Sequence, residues 1–220
     1  MAEFIAANSV SFAYGSFPVV ADVSFSLASS DTVALMGDNG SGKTTLGKLL
    51  MGMLTPSSGQ VLLEGRDIHQ WPLSQRGEKI GYVFQNPEKQ LFCSSVQQEV
   101  GFGLIYRGVD SQQVASRVNE MLKLFELTPC RESFPFNLSQ GEKQRLVLAS
   151  VMALHPDFVI LDEPTTGLDS RRRQVLSDML ARLADRGVGY ILISHDRQFC
   201  SKLCRRLLVM EGGRCNEQSF

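Results

Sequence analysis

The nine residues GDNGSGKTT, at positions 37–45, constrain this chain more than any other stretch. They fit the pattern GxxxxGK[ST], with Gly37, Gly42, Lys43 and Thr44 in the fixed places. The apolar run TVALM precedes the motif and a helical pattern follows it, which is the strand–loop–helix context of a phosphate-binding loop. Chance occurrence is about one per cent for such a chain, so we favour a phosphate site over a glycine-rich turn with a surface lysine.

The residues of this loop predict its chemistry. Glycines let backbone N–H groups curl around phosphate oxygens, and the start of the following helix adds a favourable dipole. Lys43 is expected to reach the β- and γ-phosphates of a nucleotide, and the hydroxyl of Thr44 to coordinate Mg²⁺. The predicted nucleotide contacts in the loop are Gly37, Asp38, Asn39, Gly40, Ser41, Gly42, Lys43, Thr44 and Thr45.

Further polar candidates stand at the ends of predicted strands. The run FVILDE ends in Asp162, expected to hold Mg²⁺ through its water shell, and Glu163, a candidate general base. YILIS is followed by His195, and KIGYVFQ ends in Gln85. A single strand-end histidine is more often structural than catalytic, and the two acids could be local caps. Because the carboxyl ends of parallel strands share one crevice, we nevertheless expect all four beside the loop.

The alternation of apolar strands and helices predicts the fold class. The runs SVSFAY, VVADVSFSL, TVALM, QVLLEG and KIGYVFQ read as strands. Helices are predicted over 43–53, stopped by TPSSG, and over 171–185, with Val175, Met179, Leu180 and Leu183 facing inward. Near-continuous apolar strands separated by helices predict an α/β protein with a parallel sheet covered on both faces. The helical block from about 94 to 153 is predicted to be an inserted lobe.

Composition limits the other classes of function. The net charge is −1 and Lys43 is the first basic residue, so a nucleic-acid grip is not expected. No apolar run approaches the roughly 18 residues of a membrane span, and the first residues, MAEFIAANS, do not resemble a secretory signal. Five cysteines form no CxxC pair, which favours reduced thiols in cytosol.

The stretch NLSQGEKQRLVLAS, residues 137–150, begins like a helix but contains an unexpected glycine. Asn137 and Ser139 can each cap a helix, and Glu142 completes a capping box with Ser139. Gly141 lies in the first turn, where it weakens a helix by about 1 kcal/mol relative to Ala. Local helix chemistry alone does not account for an open, small-residue N-terminus at this position.

Taken together, these motifs resemble an ABC-type ATPase across essentially the whole chain. GDNGSGKTT matches the P-loop, Gln85 the Q-loop glutamine, LSQGE (138–142) the signature, FVILDE the Walker B strand, TTGLD (165–169) the D-loop and His195 the switch histidine. The resemblance implies one ABC ATPase domain over 1–220. It implies a P-loop NTPase core with a mostly parallel sheet, an N-terminal antiparallel β-subdomain and an inserted helical subdomain over about 94–153 that carries the signature.

The resemblance also implies cofactors and site residues. ATP and Mg²⁺ are the expected cofactors. The implied catalytic residues are Lys43, Gln85, Glu163 and His195, and the implied Mg²⁺ ligands are Thr44, Gln85 and Asp162. Tyr14, in VSFAYG, matches the aromatic residue that stacks on adenine, although Phe12 is a rival and either could be a packed strand residue.

The signature glycine is explained by a partner subunit that the resemblance implies. Two ATPase domains of this family meet head to tail, so the signature helix of one closes over the γ-phosphate bound to the other. Ser139 and Gly141 are thus expected to bind phosphate in trans. Gln140 replaces a usual Gly and Glu142 a usual Gln. Asp169 matches a D-loop acid that meets the opposite P-loop, or is simply a helix cap.

The segment QNPEKQLF, after the strand ending at Gln85, resembles ATPase subunits of energy-coupling-factor importers for vitamins or metal ions. That branch implies transmembrane partner subunits, a homo- or heterodimer, and a location on the cytoplasmic face of the membrane. Leu91, Phe92, Val96, Val100 and Phe102 are expected either to line the groove for the membrane subunit or to be core residues.

A C-terminal extension common in this branch is expected to be missing. Arg171, Arg172 and Arg173 are predicted to be a solvated face. Other ABC transporter classes, and non-transport ABC ATPases, are the alternatives.

Overall fold

Ten strands form two sheets within residues 3–220, the part of the chain that this computed structural model describes. Met1 and Ala2, which belong to the predicted domain, lie outside the described residues. The strands are β1 (Ile5–Tyr14), β2 (Phe17–Leu27), β3 (Thr32–Gly37), β4 (Ser58–Leu63), β5 (Arg66–Asp67), β6 (Ile80–Val83), β7 (Phe158–Asp162), β8 (Gly189–Ile193), β9 (Arg206–Glu211) and β10 (Arg214–Gln218).

The larger sheet has the strand order β10-β9-β3-β8-β7-β6, and only the edge strand β10 runs antiparallel. All five residues of β7 and of β8 are buried, as expected for strands covered on both faces. Their side chains feed two apolar clusters, one on each face of the sheet. The parallel core that the sequence predicts is confirmed.

The smaller sheet is antiparallel throughout and has the order β2-β1-β4-β5. Its inner face shares an apolar cluster with the first helix of the core. The β1–β2 hairpin also approaches the phosphate-binding loop, because the carbonyl of Val19 lies against Gly42. The expected N-terminal antiparallel subdomain is therefore present, and it forms one wall of the site.

The described residues contain seven α-helices. They are α1 (Lys43–Leu50), α2 (Leu73–Lys79), α3 (Val96–Tyr106), α4 (Ser111–Leu124), α5 (Gln140–Ala153), α6 (Ser170–Asp185) and α7 (Arg197–Leu203). Helices α3, α4 and α5 occupy the segment predicted to be helical and pack on one another. None of the helices described in residues 3–220 has the length and apolar character of a membrane span.

Three sequence predictions about elements need correction. The first helix ends at Leu50 rather than at residue 53, because Gly52 takes a left-handed conformation with φ +71°. Strand β6 ends at Val83, so Gln85 lies beyond the strand rather than in its last position. In α6 the buried position is Leu176, while the predicted Val175 is only half-buried.

Candidate nucleotide site and signature helix

The phosphate-binding loop crosses from β3 to α1 through two glycines that no other residue can replace without a clash. Gly37 has φ +142° and Gly42 has φ +103°. A Cβ added at Gly37 would lie 2.2 Å from the carbonyl oxygen of Met210, and one at Gly42 would lie 2.6 Å from that of Val19. The loop therefore depends on glycine both for its backbone conformation and for its close packing.

Helix α1 starts without a cap of its own among the described residues. Gly42 offers no side-chain cap and the first turn contains no acid, so the N–H groups at this end remain available for an anion. The hydroxyl of Ser41 is buried and has no hydrogen-bond partner within residues 3–220. Lys43 Nζ donates to the carbonyl oxygens of Gly37 and Asp38, at 2.8 Å each. These features fit a nucleotide phosphate chain.

Thr44 and Asp162, from two different elements, form a compact pair of oxygen ligands. Thr44 Oγ1 donates to Asp162 Oδ1 at 3.0 Å, and the hydroxyl of Tyr82 lies 3.4 Å from Oδ2. Burial raises the pKa of Asp162, an effect that hydrogen bonds from Thr44 and Tyr82 oppose. Within the described chain no group of three or more His, Cys, Asp or Glu residues can hold a metal. The pair fits Mg²⁺, which keeps waters and takes further oxygens from phosphates.

Glu163 and His195 meet beside this pair. His195 Nδ1 lies 3.0 Å from Oε2 and 3.2 Å from Oε1 of Glu163. The Glu163 side chain is 10% exposed and that of His195 is 69% exposed, so the histidine covers the carboxylate from the solvent side. Glu163 has φ +48°, and its N–H donates to the carbonyl of Ile193 at 2.9 Å. The neighbouring strand β8 thus fixes an unusual backbone conformation at the candidate base.

A cavity of about 440 Å³ lies between the loop and the strand ends. Most of its lining was predicted from the sequence, and the lining residues are Val19, Asn39, Gly40, Gly42, Lys43, Thr44, Thr45, Gln85, Asp162 and Glu163. Gly37, Asp38, Ser41 and His195, which were also predicted at the site, are not among its lining residues, and His195 is joined to it only through Glu163. Val19 was missed, because an apolar strand residue carries no signal for a binding site. Tyr14, predicted to stack on adenine, does not line this cavity. Its ring is half-exposed and meets Phe12 edge-on, with centroids 4.9 Å apart.

The signature helix starts with the capping box that the sequence predicts. Ser139, rather than Asn137, is the N-cap of α5. The N–H and hydroxyl of Ser139 both donate to Glu142 Oε2, at 2.8 and 2.6 Å. These hydrogen bonds lower the pKa of Glu142. Neither Ser139 nor Gly141 lines the nucleotide cavity of its own chain.

Gly141 is buried against another helix of the same chain. A Cβ added there would lie 2.8 Å from both Cδ and Nε of Arg172. The predicted solvated face of Arg171, Arg172 and Arg173 is confirmed in that all three side chains are partly or fully exposed. Two of them also make contacts within the chain, since Arg172 covers Gly141 and Arg173 donates to Asp196 Oδ2 at 2.9 Å. Asp169 is the N-cap of α6 and accepts from the N–H of Arg172.

The five residues expected at the membrane-subunit groove divide into two groups. Leu91, Val96 and Val100 are buried core residues. Phe92 and Phe102 are 62% and 45% exposed, and their rings meet edge-on with centroids 4.7 Å apart. Ile105 and Tyr106 are also exposed. We name these four residues, three on α3 and one in the segment before it, the α3 patch (Phe92, Phe102, Ile105 and Tyr106).

Known proteins match this chain in sequence. The family described as ABC transporter matches residues 20–166. A putative ABC transporter ATP-binding protein of Methanosarcina mazei is 41% identical over 192 residues, which cover 87% of this chain and 32% of that protein. A protein of Clostridium acetobutylicum with the same description is 36% identical over 206 residues, covering 91% of this chain and 86% of the relative. The chain spans about a third of the length of the Methanosarcina relative.

Solved structures match it in fold. The structure of cbiO1 from Clostridium perfringens, described as part of the ABC transporter complex cbiONQ, has a TM-score of 0.87 and 29% sequence identity, covering 98% of this chain and 88% of that one. The ATP-binding cassette MJ0796, a dimer bound to ADP and Pi, has a TM-score of 0.88 at 23% identity, covering 98% and 100%. The latter shows the fold alone, which is that of ABC ATPases. With the match of the family over most of its length, the chain belongs to the ABC transporter family, among its ATP-binding subunits.

Proposed function

We propose that this chain binds and hydrolyses ATP, dimerises head to tail and powers a membrane importer. The observation that carries the proposal is that Thr44, Asp162 and Glu163 line one cavity, with His195 in contact with Glu163. The pair Thr44–Asp162 offers oxygen ligands, and the pair Glu163–His195 offers a base held by a histidine. A glycine loop with an uncapped helix N-terminus borders both pairs, as phosphoryl transfer to water requires.

Each pair has a distinct task in the proposed mechanism. Lys43 exchanges the carbonyls of Gly37 and Asp38 for phosphate oxygens, which its ammonium neutralises. Thr44 and Asp162, with Gln85 at the cavity wall, would hold Mg²⁺, which would supply positive charge to offset that of the phosphates. Glu163 orients the attacking water and accepts its proton. His195 fixes the direction of the Glu163 carboxylate.

The second half of each site is proposed to come from another subunit. Ser139 and Gly141 lie outside the cavity of their own chain, at the start of a helix whose first N–H groups favour anions. In a head-to-tail dimer this helix closes over the phosphate bound by the partner. The whole chain, 1–220, acts here as one ABC ATPase domain, and α3 to α5 form the subdomain that carries the signature.

We further propose that the transporter is an importer of the energy-coupling-factor type. Two features support this branch: the QNPEKQLF segment, and the likeness to cbiO1, itself described as part of an ABC transporter complex. The α3 patch is the proposed docking surface for a transmembrane subunit, because large apolar patches on a surface mark interaction sites. Such docking places the chain on the cytoplasmic face of the membrane.

The activity is tested by Mg²⁺-dependent hydrolysis of ATP. We expect Lys43→Ala to abolish steady-state turnover, because the phosphates lose their closest cation. Lys123→Ala, which removes an exposed lysine in the last turn of α4, is the matched control and should match the wild type. Steady turnover by purified Lys43→Ala protein contradicts the assignment.

The docking surface is tested by co-purification of the tagged chain from membranes of its own source organism. Phe92→Asp and Phe102→Asp each place a charge in the α3 patch and should release the membrane subunits. Leu73→Asp changes an equally exposed apolar residue on α2 and should retain them. Recovery of soluble partners only, by the wild type, favours a non-transport ABC ATPase instead.

A further inference from the structure

The three consecutive arginines at the start of α6 have three different environments. Arg171 is exposed and makes no side-chain hydrogen bond or ion pair among the described residues. Arg172 lies over Gly141 in the signature helix, and Arg173 reaches Asp196, the residue after the switch histidine. One helical turn therefore contacts two of the elements on which the proposed ATP sites depend.

The contact with the signature is close and involves several groups. The Arg172 side chain packs on the backbone at Gly141, where a Cβ would come within 3.0 Å of its Cδ, Nε and Cζ atoms. The same guanidinium lies 3.5 Å from Asp169 in the D-loop. A Cβ at Gly167, also in the D-loop, would lie 3.8 Å from Gln140. The D-loop and the signature thus lie side by side, with Arg172 between them.

Arg172 also affects the charge at the signature. The signature contains an acid, Glu142, in the first turn of α5. A carboxylate at the mouth of a phosphate site repels the phosphate, whereas a neighbouring guanidinium offsets that charge. Hydrogen bonds from Ser139 are the main cause of the lowered pKa of Glu142, and the charges of Arg145 and then Arg172 add to it.

The contact on the other side leads to the candidate base. Arg173 donates to Asp196 Oδ2, while Oδ1 of the same carboxylate accepts from the N–H of Phe199 and caps α7. His195 immediately precedes this anchored residue and holds Glu163 at 3.0 Å. The position of His195 beside Glu163 therefore depends on how Asp196 is held.

We propose that Arg172 and Arg173 are positioning residues for two different ATP sites. Arg172 positions the signature that serves the partner's site, and Arg173 positions His195 in the site of its own chain. The inference rests on the proposed function, because it requires a head-to-tail ATPase. Both side chains are more than a third exposed, and ion pairs this exposed contribute little to folding. Loss of either arginine should therefore affect turnover rather than the fold.

The first test compares three alanine variants of the full chain. Arg172→Ala and Arg173→Ala should each lower kcat about 10- to 100-fold, the scale of a roughly 1 Å misplacement, with ATP affinity within about twofold of wild type. Arg171→Ala is the matched control and should keep wild-type kcat. Arg173→Lys, which retains a charge able to reach Asp196, should recover most of the rate. Wild-type kcat in both alanine variants, or an equal loss in Arg171→Ala, overturns the inference.

The second test separates the two directions by mixing each variant with Lys43→Ala. In the mixed dimer, the intact P-loop belongs to the arginine variant and faces the intact signature of the Lys43→Ala chain. Mixing should therefore restore activity with Arg172→Ala, whose own His195 is undisturbed, and should not restore it with Arg173→Ala. Equal rescue of the two variants, or the opposite order, contradicts the assignment.

The pair Ser139→Arg with Lys43→Ala calibrates the mixing test, because its damage lies in the signature itself. If this pair shows no rescue although the wild type hydrolyses ATP, the head-to-tail arrangement of the proposed function is what fails. The comparison of Arg173→Ala with Arg173→Lys then still decides whether Arg173 acts through Asp196. If the wild type neither binds nor hydrolyses ATP, the proposed function is wrong, and the inference that depends on it is wrong as well.

Discussion

At the scale of single residues, Glu163 combines the proposed chemistry with a costly backbone conformation. A non-glycine residue at positive φ costs on the order of 1–3 kcal/mol and persists where its surroundings fix it. Here the N–H bond to Ile193 and the contact with His195 fix it. The residue in this conformation lines the cavity.

We expect Glu163→Gln to lower kcat about 10²- to 10⁴-fold, the usual contribution of a general base, while ATP affinity is retained. The amide fits the same space but accepts no proton. Glu126→Gln removes another carboxylate at a positive-φ position, φ +56°, and serves as the control with wild-type rate. Single-turnover hydrolysis and equilibrium nucleotide binding measure the two quantities. Unchanged kcat in Glu163→Gln contradicts the role of the base.

Residue types and spacing predicted most of the cavity lining, because the motif residues follow strands that end at the same sheet edge. They could not predict the site residues that depend on contacts between segments far apart in the sequence. Val19 enters the site because the β1–β2 hairpin folds over the loop. Arg172 reaches Gly141 across a gap of 31 positions in the sequence, and nothing in the string of three arginines distinguishes it.

At the scale of elements, the start of α5 depends on its capping box. We expect Ser139→Ala to destabilise the protein by about 0.5–2 kcal/mol at neutral pH, the usual cost of removing an N-cap. Ser116→Ala, at an exposed position inside α4, should cost less. Chemical denaturation of the three proteins measures the difference. Equal stability of Ser139→Ala and wild type contradicts the capping role.

The cap should also make stability depend on pH. Because Ser139 lowers the pKa of Glu142 in the folded state, the carboxylate contributes stability that is present above its unfolded pKa. That contribution is lost as pH falls through the folded pKa. The difference in free energy of unfolding between wild type and Ser139→Ala should therefore become smaller at acidic pH. A difference that grows on acidification would show that the Glu142 carboxylate is not the partner.

Helix α5 is further tied to the segment after Gln85 by an asymmetric ion pair. Lys143 Nζ lies 2.5 Å from Glu88 Oε1, but the lysine side chain is 10% exposed and that of the glutamate 45%. Removing the glutamate leaves the buried Lys143 ammonium unpaired, and this costs more free energy of folding than leaving an exposed carboxylate unpaired. Glu88→Ala should thus destabilise by about 1–3 kcal/mol, and Lys143→Met by less. Denaturant unfolding of both variants checks the order, and the reverse order contradicts it.

The bounds of elements were the least predictable part of the fold. The bounds of helix α6 and strand β7 lie within one residue of the predicted ones, because buried positions dictate their length. Helix α1 stopped early at a glycine that the apolar pattern ran through, and β6 ended before Gln85. Beyond the end of β6, the side chain of Gln90 pairs with the backbone: it accepts from the N–H of Phe84 and donates to the carbonyl of Tyr82. Such tertiary pairing is not visible in local sequence.

At the scale of the whole molecule, the parallel core was predictable because its strands are apolar on both faces. The antiparallel sheet was expected only through the family resemblance, since its strands alternate weakly and contain register shifts. The α3 patch and the start of α5 are the two surfaces left for other chains in the proposed assembly. The first is apolar and the second is an exposed helix N-terminus, so they suit different kinds of partner.

The central claim is that two copies of this chain close around ATP, and light scattering of Glu163→Gln tests it most directly. This variant should keep ATP unhydrolysed, so the closed dimer should accumulate. We predict a shift from monomer to dimer mass on addition of Mg²⁺ and ATP, reversed when ADP replaces ATP. The shift should be absent in Glu163→Gln/Ser139→Arg, whose bulky side chain blocks the signature. A variant pair that dimerises equally, or a Glu163→Gln protein that binds ATP yet stays monomeric at high concentration, would contradict the account.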